Sequence, residues 1–255
     1  MSKNKVSFYQ KGSIEIVNGE GTHRFPYHTH ESYLVGVIKS GEVRVFIGDR
    51  EYLLMQGMTY IVPSKVGMSI MPVKPYSYLT ICIKNGKLSG FEPYRQKQMV
   101  VQGVWEKIDS LCEQFTLLKL TEEEFIIRLC EILNLREAKI KSGSKASSDV
   151  IRVAEKYINE HINDKFILND LAQAVHMSKY HLIRVFKREM GITPKQYDQQ
   201  CKMRQIKTRI LNQEAEADIA MDFSFSSQSH MGSIFRRYMG ISPKDYLQDV
   251  KKSKQ

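Results

Sequence analysis

RVFKREMGITPKQY, residues 184–197, returns 49 residues later as SIFRRYMGISPKDY, residues 233–246, with eight of fourteen positions identical. Two copies are too few for a solenoid, which needs at least three stacked units to bury a continuous core, so the repeat marks two related helical modules. Each copy has the same physical reading. An amphipathic stretch runs up to Gly191 or Gly240, the place for a left-handed residue that ends a helix. Thr193-Pro194 or Ser242-Pro243 then supplies an N-cap and a proline suited to the first turn of the next helix.

Upstream of the first copy, Asn169 is placed to cap a short helix bearing Leu171, Ala172 and Val175; His176-Met177-Ser178 turns the chain, and Ser178 caps a helix from Lys179 to Met190. Two helices joined by a tight turn, the second one basic, is helix-turn-helix geometry. In that second helix Leu182, Val185, Phe186 and Met190 share one face, while Lys179, Tyr180, His181, Arg184, Lys187 and Arg188 occupy the others. Such charges are ordinarily just a solvated face. Position argues for more: from Lys179 to Arg209 there are nine Lys and Arg against only Glu189 and Asp198. The second module reads Asp218-Ile219-Ala220, then Phe223-Ser224-Phe225, then a helix from Ser227 with Gln228, Ser229, His230, Ser233, Arg236 and Arg237. Ser, Gln and Arg can bond base edges or phosphates. Between the modules, Pro194 to Leu211 reads as one long helix, with Tyr197, Cys201, Ile206 and Ile210 for packing.

These residues resemble the AraC-type DNA-binding domain over about Ser148 to Leu247: two helix-turn-helix motifs joined by a long helix, each ending in Phe, basic residues and a Gly-x-[Ser/Thr]-Pro-x-x-Tyr tail, with FSSQSH in the right order. The resemblance implies recognition helices in successive major-groove segments on one face of DNA, here Lys179–Lys187 and Ser227–Arg237. The second motif departs from the pattern. Ser224 stands where the family usually has glycine, and the approach from Gln213 to Asp218 looks one residue short, without a Ser or Thr cap and with acidic Glu214, Glu216, Asp218 and Asp222.

The rest of the chain gives the domain plan. Its 255 residues are 42% hydrophobic and 26% charged, ordinary globular composition. No apolar run reaches the roughly 18 residues of a bilayer-spanning helix, and Met1 to Lys5 lacks a signal-peptide core, so a cytoplasmic protein without a membrane partner is expected. The four cysteines are scattered with no Cys-x-x-Cys pair, which favours buried thiols. Of the formal charge of +10, residues 1–140 hold 18 Lys and Arg against 15 Asp and Glu, and residues 141–255 hold 20 against 13. The excess sits in the second part, as a polyanionic partner requires. KSGSKASS at 141–148 has linker composition.

Residues 6–83 carry short β-branched and aromatic runs, VSFY, IEIV, YLVGVI, VRVFI, YLLM, TYIV and YLTICI, punctuated by Gly and Pro. Many short strands predict a compact antiparallel barrel or sandwich. PYHTHESYLVGVIKSGEVRV with Gly57 to Pro63 resembles the cupin-like sensor barrel often found ahead of this DNA-binding domain. His28 and His30, two apart on an extended strand, could share a metal, but Leu34 and Val35 stand where a metal cupin has a Glu, and no His follows Pro63 until His161. No metal or cofactor is therefore assigned. Arg24, His28, His30 and Tyr33 are the ligand-pocket residues, with a barrel mouth lacking any ligand as the plain alternative. Beyond Pro93, Val101, Ile108 and Phe115 fall at one heptad position and Val104, Leu111 and Leu118 at another. Thr121 with Glu124 has capping-box spacing for a second helix to Leu135. The pair could pack on the barrel or form a dimer interface.

The expected fold is α+β and multidomain: an amino-terminal cupin-like β-barrel (1–95), a helical dimerisation segment (96–140), a linker, and an all-α double helix-turn-helix domain (149–250). The expected function is sequence-specific binding of double-stranded DNA as an effector-responsive transcription regulator, an activator rather than a repressor and not an enzyme, acting as a homodimer and touching RNA polymerase. The competing readings are a metal-dependent cupin enzyme with a DNA-binding accessory domain, and a DNA-binding adaptor that takes no ligand.

Overall fold

The computed structural model describes residues 4–84, 100–133 and 149–252; the expected linker lies outside them. The chain divides into two compact units, one of residues 1–24, 30–142 and 248–255, the other of residues 25–29 and 143–247.

The strands in chain order are β1 (Lys5–Lys11), β2 (Ile14–Gly21), β3 (Phe25–Thr29), β4 (Ser32–Ser40), β5 (Glu42–Ile47), β6 (Arg50–Met55), β7 (Thr59–Val62), β8 (Gly67–Pro72), β9 (Tyr76–Lys84) and β10 (Val100–Val101). In the first unit one sheet runs β1-β2-β9-β4-β7-β10, and the other includes β8-β5-β6. All seven quoted runs lie on strands. GMSIMP of β8 was not among them, because Gly67 and Pro72 read as turn marks when in fact they bound the strand.

Alternation sets the two faces of the larger sheet. Ile14, Ile16, Val35, Val37, Ile61, Leu79, Ile81 and Ile83 form one cluster with Ile108, Leu111, Phe115, Phe125 and Leu129 of two helices, α1 (Trp105–Thr116) and α2 (Glu122–Ile132). The cap of α2 forms as expected: Thr121 Oγ1 accepts from the Glu124 amide at 3.2 Å, and the Glu124 carboxylate accepts from the Thr121 amide at 2.8 Å.

The heptad seam is corrected. Val101 lies on β10 and Val104 is the N-cap residue of α1. Leu118 lies beyond the helix at φ 59°, 69% exposed. Ile108, Leu111 and Phe115 are at most 3% exposed within the single chain, so they belong to its own core. A heptad's mean apolar spacing of about 3.5 residues and the helical period of about 3.6 differ little over twelve residues, and the apolar stripe serves the sheet.

The second unit carries α3 (Asp149–Glu160), α4 (Leu168–Ala174), α5 (Lys179–Met190), α6 (Pro194–Leu211), α7 (Glu216–Asp222), α8 (Gln228–Met239) and the greater part of α9 (Pro243–Lys252). The expected helices at Lys179–Met190 and Pro194–Leu211 match α5 and α6. Asn169 does not cap α4: it lies inside the helix, and Ile167 at the N-cap makes no side-chain bond.

Candidate functional site

The repeat is a packing unit. Phe186 meets Tyr197 edge-on at 5.6 Å between ring centres, and Phe235 meets Tyr246 at 5.7 Å. Gly191 and Gly240, at φ 73° and 81°, end α5 and α8 and donate to Lys187 O and Arg236 O. Ile192 and Ile241 are buried behind them. Thr193 and Ser242 accept from the amides of Gln196 and Asp245, and both prolines open the following helix. The identities thus specify how each reading helix ends and how the next element returns beneath it.

The two turns correspond bond for bond. In the first, Val175, His176 and Met177 donate to Leu171, Gln173 and Ala172; in the second, Phe223, Ser224 and Phe225 donate to Ile219, Met221 and Ala220. His176 and Ser224 adopt the same left-handed conformation, φ 54° and 58°. Ser224 is therefore no irregularity peculiar to the second motif, and its hydroxyl donates to Asn163 O at 2.8 Å. Nor is the approach short. The short helices α4 and α7 are 48 residues apart in register and the reading helices 49, so the added residue, Ser226, lies after the turn. The missing cap on α7 is as expected, Ala215 making no side-chain bond.

All of the residues expected to meet DNA are exposed: Ser178, Lys179, Tyr180, His181, Arg184, Lys187 and Arg188 on the first helix, and Ser227, Gln228, Ser229, His230, Ser233, Arg236 and Arg237 on the second. The hydroxyls of Ser178 and Ser227 are occupied as caps, accepting from the His181 and His230 amides. On α8, Gln228 donates to Glu216 at 3.1 Å, Ser233 to Ser229 O at 2.9 Å, and His230 Nδ1 stands 3.0 Å from Ser226 Oγ. On α5 Arg188 pairs with Glu189 at 3.3 Å, whereas among the described residues no side-chain partner is recorded for Arg184 or Lys187. The acids near α7 are partly neutralised, since Arg209 pairs with both Glu214 and Asp222 at 2.6 and 2.7 Å.

Beneath both motifs, Lys202 of α6 is 5% exposed and donates to Asp164 O at 2.7 Å and Phe223 O at 3.3 Å. It ties the chain after α3 to the C-cap of α7. Asp198 lies 3.7 Å away on the same face of α6, and burial pushes its carboxyl up to about 6 against the opposing pull of Lys202.

Tyr33 packs against the cluster shared with α1 and α2, on the opposite face of the sheet from Tyr78. His28 lies on β3, which ends at Thr29, and His30 lies beyond the strand. His28 Nδ1 donates to Pro26 O at 2.7 Å, and burial lowers its pKa. Arg24 is exposed. Among the described residues no group of three or more His, Cys, Asp and Glu could hold a metal. The cysteines are free, and burial raises the Cys112 and Cys130 thiols, Cys130 to about 12.

The signal that was missed is a tyrosine face. Tyr76, Tyr78 and Thr80 alternate along β9, and Tyr60 lies across from Gly36, itself paired with Thr80. A Cβ at Gly36 would run into the Tyr60 ring, and one at Gly19 into Tyr78. Burial raises the pKa of all three phenols. Among the described residues, Tyr60 Oη and, on β6, Tyr52 Oη are buried without a hydrogen-bond partner. Period-two reading of YSYLTICIK would have exposed this stripe.

Comparison with known proteins agrees with this geometry. Residues 12–103 match the AraC-like ligand binding domain, and residues 171–249 match a helix-turn-helix domain. An uncharacterized HTH-type transcriptional regulator of Bacillus subtilis (strain 168), YbfI, is 28% identical over 224 residues, 81% of each chain. ToxT of Vibrio cholerae strain SCE256, in a structure with bound unsaturated fatty acid, is 12% identical with a TM-score of 0.56, over 98% of this chain and 95% of that one. A ToxT structure from strain O395 also gives 0.56 at 12% identity, over 97% and 98%. Both likenesses concern fold alone. A ligand-binding barrel joined to paired helix-turn-helix motifs defines a class, the DNA-binding transcriptional regulators. Within it, this chain is an AraC-family regulator with a ligand-binding domain.

Proposed function

We propose that the protein activates transcription by binding DNA as a homodimer through α5 and α8 and contacting RNA polymerase, in response to a small molecule held by the barrel. The observation that carries the DNA reading is the pair of capped helices with their apolar faces buried and their Lys, Arg, Ser and Gln side chains in solvent. Helices so mounted present side chains to a groove without paying to order the scaffold again. The two helices divide the work: Arg184 and Lys187 of α5 read and anchor, while α8, with Gln228 and Ser233 engaged internally, contributes more to positioning.

The effector contacts the tyrosine face, where the unpartnered Tyr52 and Tyr60 hydroxyls await a polar group. Buried hydroxyls without partners are costly, and a ligand that satisfies them recovers that cost. The single decisive experiment selects bound sequences from random duplex DNA with the full chain, repeated with candidate metabolites and with a reporter promoter. Recovery of one motif whose occupancy and transcription rise with a metabolite supports the reading; sequence-independent binding unaffected by any metabolite overturns it.

A further inference from the structure

Gly232 stands in the interior of α8, where glycine is the poorest helix former after proline. Neither reason that fixes other glycines of this chain applies to it. Its φ is not left-handed, as those of Gly191 and Gly240 are. No ring lies over it, as rings do over Gly19 and Gly36: among the described residues, nothing beyond the local helix backbone comes within 4 Å of where a Cβ would stand. An alanine would fit the free protein and favour the helix. The repeat shows what is missing. With the reading helices 49 residues apart in register, Gly232 corresponds to Ile183 of α5, and both are half-buried at the rim of the apolar face. Residues four apart are neighbours on a helix surface. Ile183 therefore fills the row between exposed Lys179 and Lys187, whereas Gly232 leaves a gap in the matching row between exposed Gln228 and Arg236. The gap lies on a reading helix of a DNA-binding domain, so the partner it opens toward is duplex DNA.

We propose that Gly232 is the point at which the sugar–phosphate backbone of DNA closes against α8, and that it acts by lacking a side chain. This rests on the reading of α8 as a DNA-contacting helix and adds how that helix seats. Glycine is the residue that lets a ligand approach the main chain closely. A helix lying in the major groove turns its outermost face to the base edges and its flanks to the groove walls, which are sugar and phosphate. Half-burial puts Gly232 on a flank. A closer seat there brings the Arg236 guanidinium, one turn on, to the phosphates of the same wall. Helix α5, with isoleucine in that row, stands further off its wall and reaches with Arg184 and Lys187, so the two modules of one repeat meet DNA at different depths.

The test compares full-length Gly232→Ala and Gly232→Ile with the parent by urea unfolding under circular dichroism and by fluorescence anisotropy on two labelled duplexes, one of mixed sequence and one carrying the motif recovered by selection. Gly232→Ala should unfold at higher urea yet bind both duplexes about fivefold or more weakly, and by the same factor, because a methyl pressed against the wall meets every sequence alike. Gly232→Ile, which restores the bulk of Ile183, should bind more weakly still. A glycine without a role at the DNA would let Gly232→Ala gain stability with no loss of binding, and that result overturns the proposal. Arg236→Ala separates it from the reading beneath it. If Arg236→Ala weakens binding and Gly232→Ala does not, α8 meets DNA without needing the gap and the proposal falls alone; if neither changes binding, α8 is not at the DNA and both fall. A loss confined to the selected motif also overturns it, since a base edge rather than the backbone would then lie against Gly232.

Discussion

His176→Gly should stabilise the DNA-binding unit, whereas Ser224→Gly should leave it nearly unchanged. Both residues hold the left-handed conformation at corresponding turns, φ 54° and 58°, which costs a non-glycine residue roughly 1–2 kcal/mol. Glycine relieves that strain but adds freedom to the unfolded chain, returning roughly 0.5–1 kcal/mol. His176 has no recorded side-chain bond to lose among the described residues, so the net gain is about 0.5–1 kcal/mol. Ser224 differs by its hydroxyl bond to Asn163 O, a partly solvated contact of about 0.5–1 kcal/mol. Its loss cancels the gain for Ser224→Gly. For Ser224→Ala, where the strain stays and the bond goes, the unit should lose about 0.5–1 kcal/mol. Urea unfolding followed by circular dichroism is the assay, because the single tryptophan, Trp105, lies in the other unit and fluorescence would miss the transition. If His176→Gly gains no more than Ser224→Gly, or Ser224→Ala is as stable as the parent, then the hydroxyl does not offset the strain and the account of the turn is wrong.

Three further outcomes follow from the same geometry. Affinity for duplex DNA should fall steeply with salt, log–log, as released counterions require; a flat plot from 50 to 300 mM would remove phosphate neutralisation from the account. Arg184→Ala should cost roughly 1–3 kcal/mol of operator discrimination if its guanidinium reads a guanine, and more than Gln228→Ala, whose side chain is already bonded to Glu216; competition binding that ranks them in reverse makes α8 the principal reader. Asp198, with a folded-state pKa near 6 against an ordinary 3.8, holds its proton more tightly when folded, so its contribution to stability is present below about pH 4 and is lost as pH rises through 6. Relative to Asp198→Asn, the parent should therefore lose at most about 3 kcal/mol across that window, and parallel pH profiles in urea would contradict it.

The DNA-binding half was legible because its information is local. Caps, left-handed glycines and prolines are written at fixed offsets, and the repeat printed them twice, so α5 and α6 could be bounded to the residue. What escaped there was conformation without a signature: nothing in His176 announces a left-handed turn, and the added Ser226 looked instead like a residue missing upstream. The barrel was legible as strands but not as faces. A heptad was read into residues 101–118 because apolar spacing states that a face is buried without stating against what. The tyrosine stripe was legible as period-two alternation in YSYLTICIK, but the sequence did not show that Gly19 and Gly36 lie under the rings.

Helix α6, eighteen residues long and closed at its start by the Thr193–Gln196 box, fixes an angle as well as a distance. Every residue of an α-helix advances the chain about 1.5 Å and turns it by about 100°. One residue inserted between Lys202 and Leu211 would thus move the second motif only slightly along the axis while swinging it more than a quarter-turn about it, off the groove that the first motif faces. Four inserted residues would bring the phase back to within about 40° and add about 6 Å of length. The length of this helix is therefore a rotational key, and two regulators that differ in it by a single residue would demand differently phased half-sites even with identical reading side chains.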